Sequence, residues 1–131
     1  MQNNIPGLKL DFSKSPTIWK FLQDKSFVRG LIGPVGSGKS YACCAEIFKR
    51  AIQQKPSPRD GIKRTRFVIV RNSYPMLKTT TLKTWLELFP EHIYGPVHHS
   101  PPITHHIKLP SREGAAGIDC EVIFLALDQP K

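Results

Sequence analysis

Gly33, Pro34, Val35, Gly36, Ser37, Gly38, Lys39 and Ser40 run without a gap through the pattern GxxxxGK followed by Ser or Thr, and each residue type in that pattern has a task on a polyphosphate. Glycines at 33, 36 and 38 open backbone angles closed to other residues and remove side chains, so successive N–H groups can converge on a phosphate. The phosphates then lie at the positive end of the helix that follows. Lys39 brings a mobile ammonium to the β and γ oxygens, where it offsets charge that develops as a terminal phosphoryl group is transferred; it is the catalytic candidate of the set. Ser40 offers a hydroxyl to Mg²⁺, a hard cation that takes only a few oxygen ligands from protein. Tyr41 closes the expected nucleotide-contacting run. The plain alternative is a glycine-rich turn with an exposed lysine. From average composition such an octet arises by chance in about one chain of this length in a few hundred, and its flanks favour the phosphate reading.

Those flanks are a strand before and a helix after. The spacing predicts a short helix from Ser15-Pro16 to about Asp24, with Ser as N-cap, Pro at the first helical position, and Ile18, Trp19, Phe21 and Leu22 clustered. A short strand is predicted over residues 28–32, interrupted by Arg29 and Gly30, and a helix from Lys39 to about Gln54, where apolar residues recur at helical spacing until Pro56 and Pro58. Residues 55–66 read as a basic surface loop. Phe67, Val68, Ile69 and Val70 form a run that suits a parallel strand buried on both faces better than an edge strand. Strand, helix and strand make a βαβ core. A second amphipathic helix is predicted over residues 79–89, with Leu82, Trp85, Leu86 and Phe89 at i, i+3, i+4 and i+7, threonines available to cap it and Pro90 to stop it. Residues 90–102 look irregular. Ile103, His105, Ile107 and Leu109 alternate, and residues 120–127 are strongly apolar, so these two segments can pair as a C-terminal β-hairpin. Residues 1–15 show no period and read as an N-terminal arm, with the domain proper over 16–131.

Hydrolysis asks for more than a phosphate loop: an Asp ending a second apolar strand to hold the metal, and an acid to orient water. Asp128 ends such a strand but is followed by Gln129, and a turn acid is its default reading. Arg29, just before the glycine-rich turn, could approach a neighbouring strand or a nucleotide. Lys49, Arg50, Lys55, Arg59, Lys63, Arg64, Arg66 and Arg71 crowd positive charge around one helix end and loop, with Asp60 the acid among them; such groups suit a DNA backbone, and equally a solvated face or a contact to a neighbouring subunit. His98, His99, His105 and His106 invite a metal reading, but adjacent strand residues point to opposite faces, so His105 and His106 cannot share one ion. Trp19, Phe21, Trp85 and Phe89 could stack on bases, although their helical spacing fits core packing better.

The 131 residues are 40% hydrophobic and 22% charged, the balance of one small globular domain or part of one, which excludes disordered and collagen-like classes. No apolar run approaches the ~18 residues of a membrane-spanning helix, and residues 1–15 are polar where a signal peptide would be apolar, so a cytoplasmic protein with no membrane partner is expected. Three cysteines, two of them the adjacent Cys43 and Cys44, suit buried thiols rather than a disulfide framework. Nineteen Lys plus Arg against ten Asp plus Glu give +9, a balance that favours polyanionic partners.

The segment GPVGSGKSYACC from Gly33, the stretch RNSYPMLKTTTLKTWLELFP from Arg71, and the late IFLALDQP from Ile123 together resemble the large terminase subunit of tailed bacteriophages. The resemblance spans about residues 16–130 but only the first part of that family's length. It implies an α/β P-loop NTPase of the additional-strand, conserved-glutamate type, seen as an N-terminal portion incomplete at its C-terminus. It implies ATP and Mg²⁺ as ligands at Gly33 to Ser40, and hydrolysis of ATP in the intact protein to drive double-stranded viral DNA into a capsid in the host cytoplasm. The implied partners are a small terminase subunit, a capsid portal and further copies of the chain in a ring. Arg71 falls where the family also has an arginine, which suggests a nucleotide or DNA contact. The acidic pair needed for turnover is expected beyond residue 131. Two rivals remain open: a nucleotide-binding module without turnover, and a small P-loop kinase.

Overall fold

The computed structural model describes residues 2–5, 8–11, 16–31 and 39–128. Its architecture is mixed α/β, built on a four-stranded mixed sheet. Near the N-terminus β1 (Gln2–Ile5) and β2 (Leu8–Asp11) pair antiparallel, so the expected arm contains a small hairpin. Then come α1 (Pro16–Gln23), α2 (Lys39–Gln53), β3 (Lys63–Arg71), α3 (Tyr74–Met76), a π-helical turn over Leu77–Thr81, α4 (Leu82–Leu88), α5 (Glu91–Tyr94), β4 (Val97–His98), β5 (Ile103–Leu109) and β6 (Ile118–Ala126).

The strand order is β3-β6-β5-β4. β3 runs parallel to β6, with Phe67 opposite Val122 and Ile69 opposite Phe124. β6 and β5 form the hairpin expected from their alternation, with His105 opposite Val122 and Ile107 opposite Cys120. Because strand side chains alternate, Phe67, Ile69, Val122, Phe124, Ile103 and Ile107 share one face. α2 and α4 close that face with Phe48, Ala51, Leu82, Trp85 and Phe89. Trp85 and Phe89 meet at 4.3 Å between ring centroids, and Phe48 and Phe89 at 5.0 Å. Each fully buried side chain of this size contributes about 1.5–3 kcal/mol through the apolar area it removes from water.

Two expectations are corrected. Residues 28–31 form no strand, and Ile32 lies outside the described residues, so the βαβ core does not include a strand at 28–31. The reason is Arg29. Its guanidinium donates to the carbonyls of Phe21 and Asp24 at 2.8 Å each, which wraps the chain around the end of α1 and leaves Phe27 and Val28 exposed. The second correction concerns β3, which is an edge of the described sheet and is covered on one face only. Arg64, Arg66, Val68 and Val70 alternate outward, and the strand begins at Lys63, inside what reads as loop.

The helix after β3 also starts earlier than its apolar spacing suggests. Ser73 is its N-cap, accepting from Met76 N at 3.3 Å, and the threonines cap nothing at Thr81. The π turn has a packing reason. In a regular α-helix residues five apart sit ~140° from one another around the axis, yet Leu77 and Leu82 are both in the core. The wider turn, in which Leu82 N–H bonds Leu77 O, brings both inward. α5 ends at Gly95, whose φ of 99° favours glycine. No helix among the described residues is long and apolar enough to cross a membrane.

Candidate functional site

Lys39 and Ser40 are the first residues of α2, a helix of 15 residues; Gly33, Pro34, Val35, Gly36, Ser37 and Gly38 lie outside the described residues. From this start α2 lines a cavity of about 350 Å³ with Lys39, Ser40 and Cys43. β3 contributes Arg71 from its C-terminal end, and the helical layer contributes Thr81 and Thr84. The volume lies near the lower end of the range for small-molecule sites, ~300–1,000 Å³.

The chemistry of the lining is one-sided. Two cations and three hydroxyls line the space, and among the described residues no Asp or Glu does. Arg71 is half-buried, and its guanidinium has no hydrogen bond or ion pair among the described residues. That sets it apart from the other half-buried arginines, Arg29 and Arg50, which both hold Glu46. A half-buried guanidinium is favourable when an anion satisfies its planar fork of donors. The N-terminal amides of α2 add a positive partial charge. Lys39, Ser40, Arg71, Thr81 and Thr84 could together hold an anionic group with several acceptor oxygens. Ser40 fits the single protein hydroxyl that a hydrated Mg²⁺ accepts, and the donor set fits a polyphosphate.

Cys44 and Cys120 are buried and Cys43 is exposed. Burial, with Glu46 nearby, pushes the Cys43 thiol up, and burial with Cys43 beside it raises Cys44 to about 12. Both stay protonated at neutral pH. All three cysteines are unpaired with one another.

Other candidate residues are placed elsewhere. Arg29 does not line the cavity. Its Nη2 holds Glu46 Oε1 at 2.7 Å and its guanidinium carbon stands 4.9 Å from the Phe21 ring centroid, so it clamps α1 to α2. Tyr41 is not among the residues lining the cavity, and its hydroxyl donates to Glu87 of α4. Asp128 Oδ1 accepts the Tyr74 N–H at 2.8 Å, which makes it a cap for the helix after β3. This is the turn-acid reading of Asp128. Trp85 and Phe89 are core residues.

The histidines divide as strand alternation requires. His105 is buried, accepting from Trp85 Nε1 at 2.8 Å and donating to Gly95 O at 2.9 Å. His106 turns to the other face, against Asp119. Among the described residues no group of three or more His, Cys, Asp or Glu is placed to hold a metal ion.

The basic cluster is less free than its sequence suggests. Arg50 pairs with Glu46 at 2.8 Å, Arg64 with Asp60 at 2.6 Å and Arg66 with Glu121 at 2.5 Å. Hydrogen bonds from Arg64 hold Asp60 down at about 2. Lys63 Nζ donates to Ile52 O at 2.6 Å, and Lys49 to Leu22 O. Arg50, Arg64 and Arg66 nevertheless line a second, open cavity of about 580 Å³ on the edge of β3.

Sequence reasoning missed Thr81 and Thr84 as cavity residues, treating the threonines as caps. Their i, i+3 spacing, which puts both on one helical stripe beside the apolar one, was the available signal. Glu46 was also passed over; an acid inside an apolar helical stripe announces a buried ion pair.

No protein-family model, curated protein or solved structure matches this chain.

Proposed function

We propose that this chain binds a nucleoside triphosphate with Mg²⁺, ATP by resemblance, as the P-loop portion of a DNA-packaging ATPase of the large terminase type. The observation that carries the reading is the coincidence of GxxxxGKS with a cavity lined by Lys39, Ser40 and a half-buried Arg71 that, among the described residues, has no ion-pair partner and meets no carboxylate there. In this reading Gly33 to Gly38 supply backbone donors to the phosphates, Lys39 engages the β and γ oxygens, Ser40 holds Mg²⁺, and Arg71 contacts phosphate from β3. Bound Mg²⁺ supplies charge neutralisation across the β- and γ-phosphates. Tyr41, whose hydroxyl donates to Glu87, ties α2 to α4 beside the nucleotide site.

The same geometry favours binding over turnover by these residues alone. Among the described residues no acid lines the cavity to orient water, and Asp128 is engaged at Tyr74. Hydrolysis, translocation of double-stranded DNA, and assembly with further copies, a small subunit and a portal in a host cytoplasm belong to the intact protein. A small P-loop kinase is the less favoured reading, since the sequence resemblance extends beyond the phosphate loop to the segments after Arg71 and Ile123. Titration calorimetry of the full chain with Mg-ATP tests the binding step: saturable heat that Lys39→Ala abolishes supports it, and equal heat from both proteins contradicts it.

A further inference from the structure

Thr79 and Thr80 spend their hydroxyls on carbonyls four residues back, Pro75 O at 2.8 Å and Met76 O at 2.5 Å. This is the usual fate of a threonine inside a helix. Thr81 and Thr84 break the habit. Neither the Thr81 nor the Thr84 hydroxyl has a hydrogen bond among the described residues, both side chains are half-buried, and both line the cavity that holds Lys39, Ser40 and Arg71.

Hydroxyls that line a cavity without a protein partner can donate to water or to a ligand that enters it. Here the adjoining groups are cations, so the ligand group that suits them is an oxyanion, which accepts from hydroxyl donors and guanidinium alike. Lys39 and Ser40 occupy the α2 side of the cavity, where motif chemistry puts the β-phosphate. The hydroxyls come from a separate element, the π turn and α4. We infer that Thr81 and Thr84 are specificity residues for the terminal phosphate, which let the site distinguish a nucleoside triphosphate from a diphosphate. This rests on the nucleotide reading above. The π turn brings Leu77 and Leu82 to the core, and Thr81 at its end joins Thr84 on the cavity wall.

The test compares Mg-ATP and Mg-ADP binding to the full chain by calorimetry, for the parent protein and for Thr81→Val, Thr84→Val, Thr81→Ser and Thr84→Ser, with melting curves for each. Losing a hydrogen bond to a charged oxygen weakens binding on the order of ten-fold. Each Val variant should weaken ATP by that factor and leave ADP within about two-fold, while each Ser variant keeps the parent ratio. Thr84 lies outside the π turn, so a Thr81→Val protein that does not fold leaves the decision to Thr84→Val. Equal weakening of both nucleotides, or an unchanged ratio in the Val variants, overturns the inference while leaving the nucleotide reading intact. Failure of the parent protein to bind either nucleotide overturns both.

Discussion

Trp85 Nε1 donates to His105 Nδ1 at 2.8 Å, and this bond fixes the protonation state of the histidine. Indole is a donor only, so Nδ1 must accept, and the proton sits on Nε2, which donates to Gly95 O. One neutral imidazole thus ties α4 to β5 and to the end of α5.

The first prediction concerns acid stability. Burial lowers the His105 pKa from 6.5, against smaller opposing contributions from the Gly95 carbonyl and Glu91, while His106 lowers it further. A group whose folded pKa is lowered binds its proton more readily in the unfolded chain. Its contribution is therefore intact above about pH 6.5 and is lost as pH falls from there towards the folded value. His105→Gln, which can keep both hydrogen bonds without titrating, should show a flatter fall in urea midpoint between pH 7.5 and 5. Parallel curves for the two proteins would show that His105 does not set the slope.

A second prediction concerns Glu46, which is buried and held by Arg29 and Arg50, with Lys49 Nζ at 4.0 Å from its other oxygen. Arg29→Met leaves that carboxylate short of its better-buried partner and frees two carbonyls at the end of α1. The expected cost is about 3 kcal/mol in urea unfolding. Adding Glu46→Leu should restore most of it, because the charge that lacked a partner is gone. A double variant no more stable than the single one would mean that the carbonyl bonds, not the ion pair, dominate.

Asp128 separates two roles. As the cap on Tyr74 N–H, its replacement by Ala should lower stability by about 1 kcal/mol and leave Mg-nucleotide affinity unchanged. A selective loss of Mg²⁺ dependence, with stability retained, would restore the metal reading.

Double-stranded DNA should bind the intact protein without sequence preference and weaken steeply with salt, log K falling linearly with log salt concentration. Arg66→Glu, on the rim of the arginine-lined cavity at the edge of β3, should reduce the magnitude of that slope by about one. Binding insensitive to salt removes the basic edge from the account.

The legible parts of the fold were those governed by one local rule. Alternation at Ile103, His105, Ile107 and Leu109 announced the hairpin because one covered face selects every second residue. Helical spacing announced α2 within a residue, Lys39–Gln53 against an expected end near Gln54. The π turn was not legible, since no residue type specifies it; it follows from the need to bury Leu77 and Leu82 together. The edge position of β3 was hidden because its apolar run reads alike whether one face or both are covered, and Val68 and Val70 are exposed. The irregular path at residues 28–31 depends on the Arg29 guanidinium folding back onto the Phe21 and Asp24 carbonyls while it holds Glu46 17 residues on, a set of contacts that apolar spacing does not display. In the site, Lys39 and Ser40 were legible from spacing alone. Thr81 and Thr84 required the tertiary placement of α4.

The measurement nearest the central claim is titration calorimetry of the folded chain with Mg-ATP, run in parallel on the parent protein, Lys39→Ala and Arg71→Ala. Saturable one-site binding by the parent, abolished at Lys39 and weakened on the order of ten-fold at Arg71, is the result the account predicts. No binding by the parent, or binding unaffected by either substitution, would contradict it.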